Sequence, residues 1–393
     1  MKYLIAGESH GSALSAIIEG VPAGLGISEQ HINADLERRQ GGYGRGARQK
    51  IEKDHVRITA GIRFGKTMGS PVCMIIENKD AIHHVDDMAV FGKPPLDIKK
   101  HVVPRPGHAD LAGVLKFNAA DCSDIAEQAS ARNTAAVVAA ASIAREFLSE
   151  MGVEVFSYVN AIGTQSMQED NFLLDAPDYK PLDIETSELR CPSPEATQRM
   201  KDEIDAAREH KDSLGGTFRV IVRGLVPGLG GTGCSDNRLT AQLGSAIFGI
   251  PALRSLDFGL GRASASLPGS RVHDPITRSH ATGEWEFTRT SNNAGGLEGG
   301  LTTGMPLILT CTMKPIPTLM QPLASVNLET LEADEACVIR SDVCAVPAAA
   351  IVAESRVAFV LANAYIQKFG GDCMIDCKAA LEHYRARLRT MAR

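Results

Sequence analysis

The sequence predicts an α+β fold in one domain spanning 1–393, and three observations carry that prediction. Short apolar runs flanked by Gly and Pro read as buried strands: PVCMIIEN (71–78), FRVIVRGL (218–225) and PLILTCTM (306–313). No Pro/Ser/Gly linker of convincing length divides the chain. Similar pieces also recur in the same order. IIEGVPAGLG (17–26) echoes IVRGLVPGLG (221–230), and KTMGSPVCMII (66–76) echoes LTTGMPLILTC (301–311). The Ala-rich helix at 131–147 echoes another at 347–365. The recurrence predicts a duplicated unit folded as a pseudo-symmetric domain.

Three helices stand out along the chain. DCSDIAEQASARNTAAVVAAASIAREFLSEMG (121–152) has an acidic start, an Ala-rich interior and a stop at Gly152. The polar stretch 165–212 reads as an exposed insertion, and its tail SPEATQRMKDEIDAAREHKDS (193–213) as a helix capped by Ser193. PAAAIVAESRVAFVLANAYIQKFGG (347–371) is the third, ending at Gly370 and Gly371.

Composition narrows the function classes. The 393 residues are 44% hydrophobic and 22% charged, an ordinary globular balance. Aromatics are only 5%, so the core rests on Ala, Val, Ile and Leu. A net charge of −6 argues against a general nucleic-acid or membrane-surface binder. The nine cysteines are odd in number and include no CxxC pair, which points to free thiols in a reducing cytoplasm. The opening YLIAG is too short for a secretory signal core. The apolar run 135–144, bracketed by Arg132 and Arg145, falls short of the about 20 residues that cross a bilayer.

Several segments could carry chemistry. The opening stretch places Glu8, Ser9 and His10 between Gly7 and Gly11. Histidine exchanges protons near neutral pH, and bare glycines let backbone approach a ligand; a surface turn is the competing reading. LERRQGGYGRGARQKIEKD (36–54) threads Arg38, Arg39, Arg45 and Arg48 through glycines. Guanidinium forks bind phosphate and carboxylate at two points, although a solvated or RNA-binding basic loop would look similar. In HVVPRPGHADLAG (101–113), two prolines stiffen the approach to His108, beside Asp110. EQASARNTAA (127–136) puts Ser130 and Arg132 near a helix start, where an anion is favoured. Downstream come the Gly/Asn/Thr loop 290–306, MKPIPT (313–318) with Lys314, and VIRSDVCAVP (338–347) with Arg340 and Asp342. GLGGTG (228–233) lacks the strand–helix frame of a dinucleotide site. The sum is two candidate acid–base histidines, many arginines and several Gly-rich loops, suited to a multiply anionic substrate and a phosphorylated cofactor.

In this order, GESHG, RRQGGYGRGARQKIEKD, RPGHADLAG, SARNTAA, DSLGG, NNAGG and RSD resemble the motifs of the chorismate synthase family over almost the full chain. The resemblance implies a β-α-β sandwich, with helices between antiparallel sheets, and a cytoplasmic homotetramer. It implies a lyase of the shikimate pathway. The reaction is the anti-1,4-elimination of phosphate from 5-enolpyruvylshikimate-3-phosphate (EPSP), giving chorismate. Reduced FMN is required, with no net redox change and no metal. By the same resemblance, His10 protonates the leaving phosphate and His108 the reduced flavin. Asp342 lies near flavin N5, with Ser9 and Ser130 as relays. Arg39, Arg45, Arg48, Arg132 and Arg340 match substrate- and cofactor-binding arginines. The FMN contacts fall on Ser130, Ala131, Arg132, Pro251, Ala252, Gly299, Lys314, Pro315, Ile316, Pro317, Thr318 and Arg340. Arg39 and Arg45 also match an NADPH assignment, relevant if the enzyme reduces its own flavin.

Four places depart from the family's usual pattern. QASARNT stands for RSSARET, RSDVC for RHDPC, GGLEGG for GGILGG, and LRSLDFGLGR for VKGVEFGDGF. Gln128, Ala129, Asn133, Glu298, Ser341 and Val343 are therefore unusual residues near the expected flavin site. They predict retained activity with altered flavin affinity. Two other functions fit parts of the sequence: a flavin oxidoreductase performing net hydride transfer, and a non-catalytic anion or RNA binder using GYGRGAR.

Overall fold

The computed structural model describes residues 1–46, 51–93, 95, 98, 100–167, 184–278, 285–338 and 341–390. Arg48 and Arg340 lie outside the described residues, as does part of the polar stretch after 165.

Two antiparallel sheets form the outer layers. Strands β1 (Lys2–Ala6), β2 (Ala13–Glu19), β3 (Val56–Ala60) and β4 (Val72–Glu77) make the first, in the order β1-β2-β4-β3. In β2 the period-2 pattern buries Leu14, Ala16 and Ile18. The second sheet holds β5 (Glu154–Ile162), β6 (Gln165–Ser166), β7 (Gly216–Arg223), β8 (Leu253–Phe258) and β9 (Leu307–Met313), ordered β8-β9-β7-β5-β6. The three apolar runs read as strands from the sequence are β4, β7 and β9.

The halves repeat one topology. Inserted helices and short strands aside, each runs strand, strand, helix, strand, strand, long Ala-rich helix. The register repeats as well. Ile17 faces Cys73 in the first sheet, and Ile221 faces Ile308 in the second. Gly26 bridges Lys66, and Gly230 bridges Leu301. These are the positions that the sequence echoes pair. The turns match too: a Cβ on Gly61 or on Gly296 would meet the carbonyl of Pro71 or Pro306 at 2.5 Å, and both glycines have positive φ.

Helices fill the space between the sheets. The long ones are α4 (Thr134–Glu150) and α7 (Val346–Phe369), with α1 (Glu29–Gln40), α2 (Asp110–Phe117), α3 (Cys122–Ala129), α5 (Pro194–Glu209), α6 (Leu239–Phe248) and α8 (Met374–Leu388) around them. The long helix α4 packs on β2 and β4, α7 on β5 and β7, and the two pack on each other. Their contact faces are rich in alanine, so the backbones approach closely and apolar burial is dense. Among the described helices α7 is the one long and apolar enough to cross a membrane, and most of it is buried inside the protein. One hydrophobic core runs through both sheets and the helix layer.

Two sequence expectations need correction. The helix 121–152 is not continuous. Ser130 takes an extended conformation, and its hydroxyl caps the Arg132 amide, so α3 ends and a 3₁₀ turn, Ala131–Asn133, leads into α4. The polar stretch 165–212 is also not simply exposed. In α5, Ala196, Met200, Ile204 and Ala207 form a buried face, while Ser193 caps Ala196 as expected. Several further elements carry weak sequence signals: β1, β2, β3, β5, β8, α1, α2, α6 and α8.

Candidate active site

The opening loop is held in shape by its glycine. Gly7 has φ +127°, and a Cβ there would meet the Ala13 carbonyl at 2.5 Å. The loop presents His10. The His10 amide donates to Glu127 Oε2 at 2.8 Å, and His10 Nδ1 lies 2.6 Å from Glu127 Oε1. Buried Asn78 clamps the loop from below, its amide donating to the Gly11 carbonyl at 2.7 Å. Ser9 is buried beside it and accepts from Ser130 Oγ at 3.0 Å. The break between α3 and α4 therefore brings Ser130 onto the His10 loop.

The same break aims Arg132 inward. Arg132 Nε donates to Asn78 Oδ1 at 2.8 Å and Nη1 to Asp54 Oδ1 at 2.7 Å. Arg39, from the last turn of α1, donates to Thr134 Oγ1 at 3.1 Å and lies 3.9 Å from Asp54. Arg45 Nη1 pairs with Asp342 Oδ2 at 3.1 Å, and the Gly46 amide donates to Asp342 Oδ1 at 2.6 Å. Burial pulls the Arg39 guanidinium down to about 10; Asp54 opposes this, while the charges of Arg45 and Arg132 add to it. Three arginines thus crowd one buried volume. Within it, Arg45 Nε, Arg132 Nη2 and Asp54 Oδ2 make no hydrogen bond among the described residues.

His108 occupies a second centre. Its Nδ1 lies 2.6 Å from Asp110 Oδ1, and Arg105 grips the same carboxylate through Nε at 2.7 Å and Nη2 at 3.0 Å. Burial alone would raise the Asp110 carboxyl, but the hydrogen bonds from His108 and Arg105 outweigh it and hold the group well below the usual range. The loop docks on MKPIPT. Arg105 Nη1 donates to Thr318 Oγ1 at 3.3 Å, and Lys314 Nζ donates to the Gly107 carbonyl at 2.7 Å. A Cβ on Gly107 would sit 3.4 Å from Pro317, and one on Gly215 would press on the Pro315 nitrogen. Ala252, after Pro251, adopts φ +66° and accepts from the Lys314 amide at 3.0 Å. Burial and Arg254 lower the Lys314 ammonium below its ordinary value.

A run of backbone contacts links the centres. Ser213 Oγ donates to the Ile316 carbonyl at 2.7 Å. The Leu214 amide donates to Val343, and the Val343 amide donates to Gly44, each at 2.8 Å. Lys314–Thr318, Asp342 and the Gly/Arg loop are thereby neighbours. Gly299 turns between Leu297–Glu298 and Leu301–Thr302, and that hairpin bonds to Leu229 and Leu239. Ala131 lies in the 3₁₀ turn, where its carbonyl accepts from Thr134 Oγ1 at 2.6 Å.

Two of the unusual residues find local explanations. Val343, where the family commonly has proline, supplies the N–H that bonds Gly44. Glu298 is paired with Arg289, Oε1 to Nε at 2.9 Å, so its carboxylate is neutralised. Sequence reasoning missed Glu127, Asn78, Asp54 and Arg105. Glu127 did leave a signal: an acid in the last turn of α3 opposes the helix dipole and calls for a cationic partner.

Fold and site together define an enzyme that binds a multiply anionic substrate and moves protons on it. The sequence model of the chorismate synthase family matches residues 1–366. Chorismate synthases of Aquifex aeolicus (strain VF5) and Desulforudis audaxviator (strain MP104C) are 45% and 48% identical to the chain. They cover 98% and 99% of it, and 97% and 98% of their own lengths. A crystal structure of chorismate synthase superposes with TM-score 0.80 at 37% identity, covering 99% of this chain and 98% of its own. The chain belongs to the chorismate synthase family. It is a carbon–oxygen lyase that eliminates phosphate from EPSP to give chorismate, with flavin dependence and no net redox change.

Proposed function

We propose that residues 1–393 act as one domain and that EPSP and reduced FMN meet between the His10 and His108 centres. The observation that carries this reading is the pair of buried guanidinium nitrogens, Arg45 Nε and Arg132 Nη2, that make no hydrogen bond among the described residues, Arg132 Nη2 standing 3.8 Å from Glu52 Oε2. An unanswered buried donor of this kind costs about 1–3 kcal/mol or more. A phosphate or carboxylate oxygen removes that cost, and EPSP carries both. Arg39, Arg45 and Arg132 then hold the substrate, joined by Arg48 and Arg340 from outside the described residues.

A bound reduced flavin would supply transient reducing power for breaking the C–O bond to phosphate, with no net redox change. The protein's residues do the rest. Glu127 fixes the His10 ring, so that Nε2 carries the proton to the departing phosphate. Asp110 and Arg105 fix His108, which sets the protonation state of the reduced cofactor. Asp342, anchored by Gly46 and Arg45, serves at flavin N5, and the Ser9–Ser130 pair relays protons. FMN contacts fall on Ser130–Arg132, Pro251–Ala252, Gly299, Lys314–Thr318 and Arg340. Lys314 offers a cation for the cofactor phosphate. NADPH, if used to reduce the flavin, meets Arg39 and Arg45.

The enzyme works as a cytoplasmic homotetramer in this reading. Nine unpaired thiols suit a reducing compartment, and exposed Leu4 and Ile17 on the outer face of the first sheet suit assembly. The test is EPSP binding by calorimetry. Arg45→Ala should weaken it by about 10-fold to 100-fold, the worth of one charged hydrogen bond; an unchanged affinity contradicts the arginine assignment. NADPH consumed one-for-one with EPSP would instead mark net hydride transfer.

A further inference from the structure

The segment NKDAIHHVDD (78–87) carries side chains that the elimination does not use. It folds over the His10 loop. His10, Asp80 and His84 each bring one ligand atom within 4.8 Å of the others. The two imidazole rings stand 4.2 Å apart at 42°. His84 Nε2 lies 4.0 Å from Asp80 Oδ2.

His10 is hydrogen-bonded to a carboxylate at Nδ1, and His84 has one at ion-pair distance. Glu127 Oε1 is 2.6 Å from His10 Nδ1, and Asp87 Oδ2 is 3.5 Å from His84 Nδ1. An acid at Nδ1 fixes the tautomer and turns the Nε2 lone pair toward a ligand, the usual support of a metal-bound histidine. Asp80 is positioned in turn. The Lys79 and Asp80 amides donate to Glu52 at 3.0 and 3.4 Å. Two imidazole nitrogens and one carboxylate oxygen are a donor set for Zn²⁺ and similar borderline cations, with a fourth position left open. Bonds of about 2.0–2.1 Å place tetrahedral donors closer together than these atoms stand, so modest side-chain closure completes the site.

We propose that His10, Asp80 and His84 form an inhibitory site for a divalent transition-metal cation of the Zn²⁺ class. A metal on His10 takes the nitrogen that carries the proton, so binding silences turnover. That consequence rests on the role given to His10 above; the binding does not.

The test is Zn²⁺ competed against a chromophoric chelator on the full chain, alongside anaerobic turnover with reduced FMN. His84→Ala and Asp80→Asn should each weaken Zn²⁺ binding by more than about tenfold. Zn²⁺ should inhibit the wild type, reversibly with EDTA. His84→Ala should keep its metal-free turnover and resist Zn²⁺. Equal Zn²⁺ affinity in the wild type and both variants overturns the site. Zn²⁺ bound through His84 without inhibition overturns the inhibitory role and counts against His10 as the acid. A chain that made no chorismate even without metal would refute the site reading above while leaving the Zn²⁺ titration decisive.

Discussion

Each histidine proposed as a proton donor is held at Nδ1 by a carboxylate that a one-residue reading does not reveal. His10 leans on Glu127, and His108 on Asp110, itself locked by Arg105. Such holding is what makes proton transfer efficient. His10→Ala and His108→Ala should each cut turnover by about 10²–10⁴, the usual weight of a positioned acid, with far smaller losses in EPSP binding. Near-normal turnover of either variant, measured anaerobically with reduced FMN, would remove that histidine from the mechanism. Glu127→Gln should lose less activity than His10→Ala and should move the pH–rate profile; an unmoved profile would make Glu127 a mere packing residue.

The element that matters most is the break between α3 and α4. Its Ser130 hydroxyl caps the Arg132 amide and also reaches Ser9. Ser130→Ala should lower stability by about 1 kcal/mol, the worth of a cap, in urea unfolding. It should lower turnover beyond that loss, because Arg132 and the Ser9 contact both depend on the turn. Full activity in a destabilised variant would separate the cap from the site. This break shows where sequence reasoning stopped. Alanine favours helix through 129–136, and nothing local in QASARNT says that Ser130 will leave it. The tertiary partners Ser9, Asn78 and Asp54 decide. The strands at 72–77, 216–223 and 307–313 were legible because their apolar runs are bounded by turns. The first strand was not: KYLIA (2–6) is mostly apolar but lies at the sheet edge, with Leu4 exposed and Tyr3 and Ile5 only half-buried, and no turn residue bounds its start. The histidines, Asp342 and the arginines stand out as candidates through whole motifs. Glu127, Asn78 and Asp54 do not, because their roles are contacts made across the fold.

At the scale of the molecule, two copies of one topology share a helix layer, and a buried charge ties that layer together. Glu354, in the middle of α7, is fully buried and takes Arg38 from α1, Arg145 from α4, Arg190 and the Ser157 hydroxyl of β5. Burial would raise its carboxyl, but the three arginines outweigh it and hold it down to about 2. Its folded value is below the unfolded value of about 4.3. Its contribution is therefore complete above that pH and is lost as pH falls through about 2. Glu354→Gln should cost about 3–5 kcal/mol at pH 7, since it strands buried arginines, and the deficit should shrink across that acid window. A deficit independent of pH would deny the charge its role. The site itself depends on both halves, since the His108 loop of the first docks on MKPIPT of the second and Arg45 of the first pairs with Asp342 of the second. The most direct test of the whole account is anaerobic turnover of EPSP with reduced FMN, oxidised FMN or none, following chorismate and phosphate together. Equal release of both with reduced FMN alone is the expected result. Tight binding of FMN and EPSP without product would contradict it.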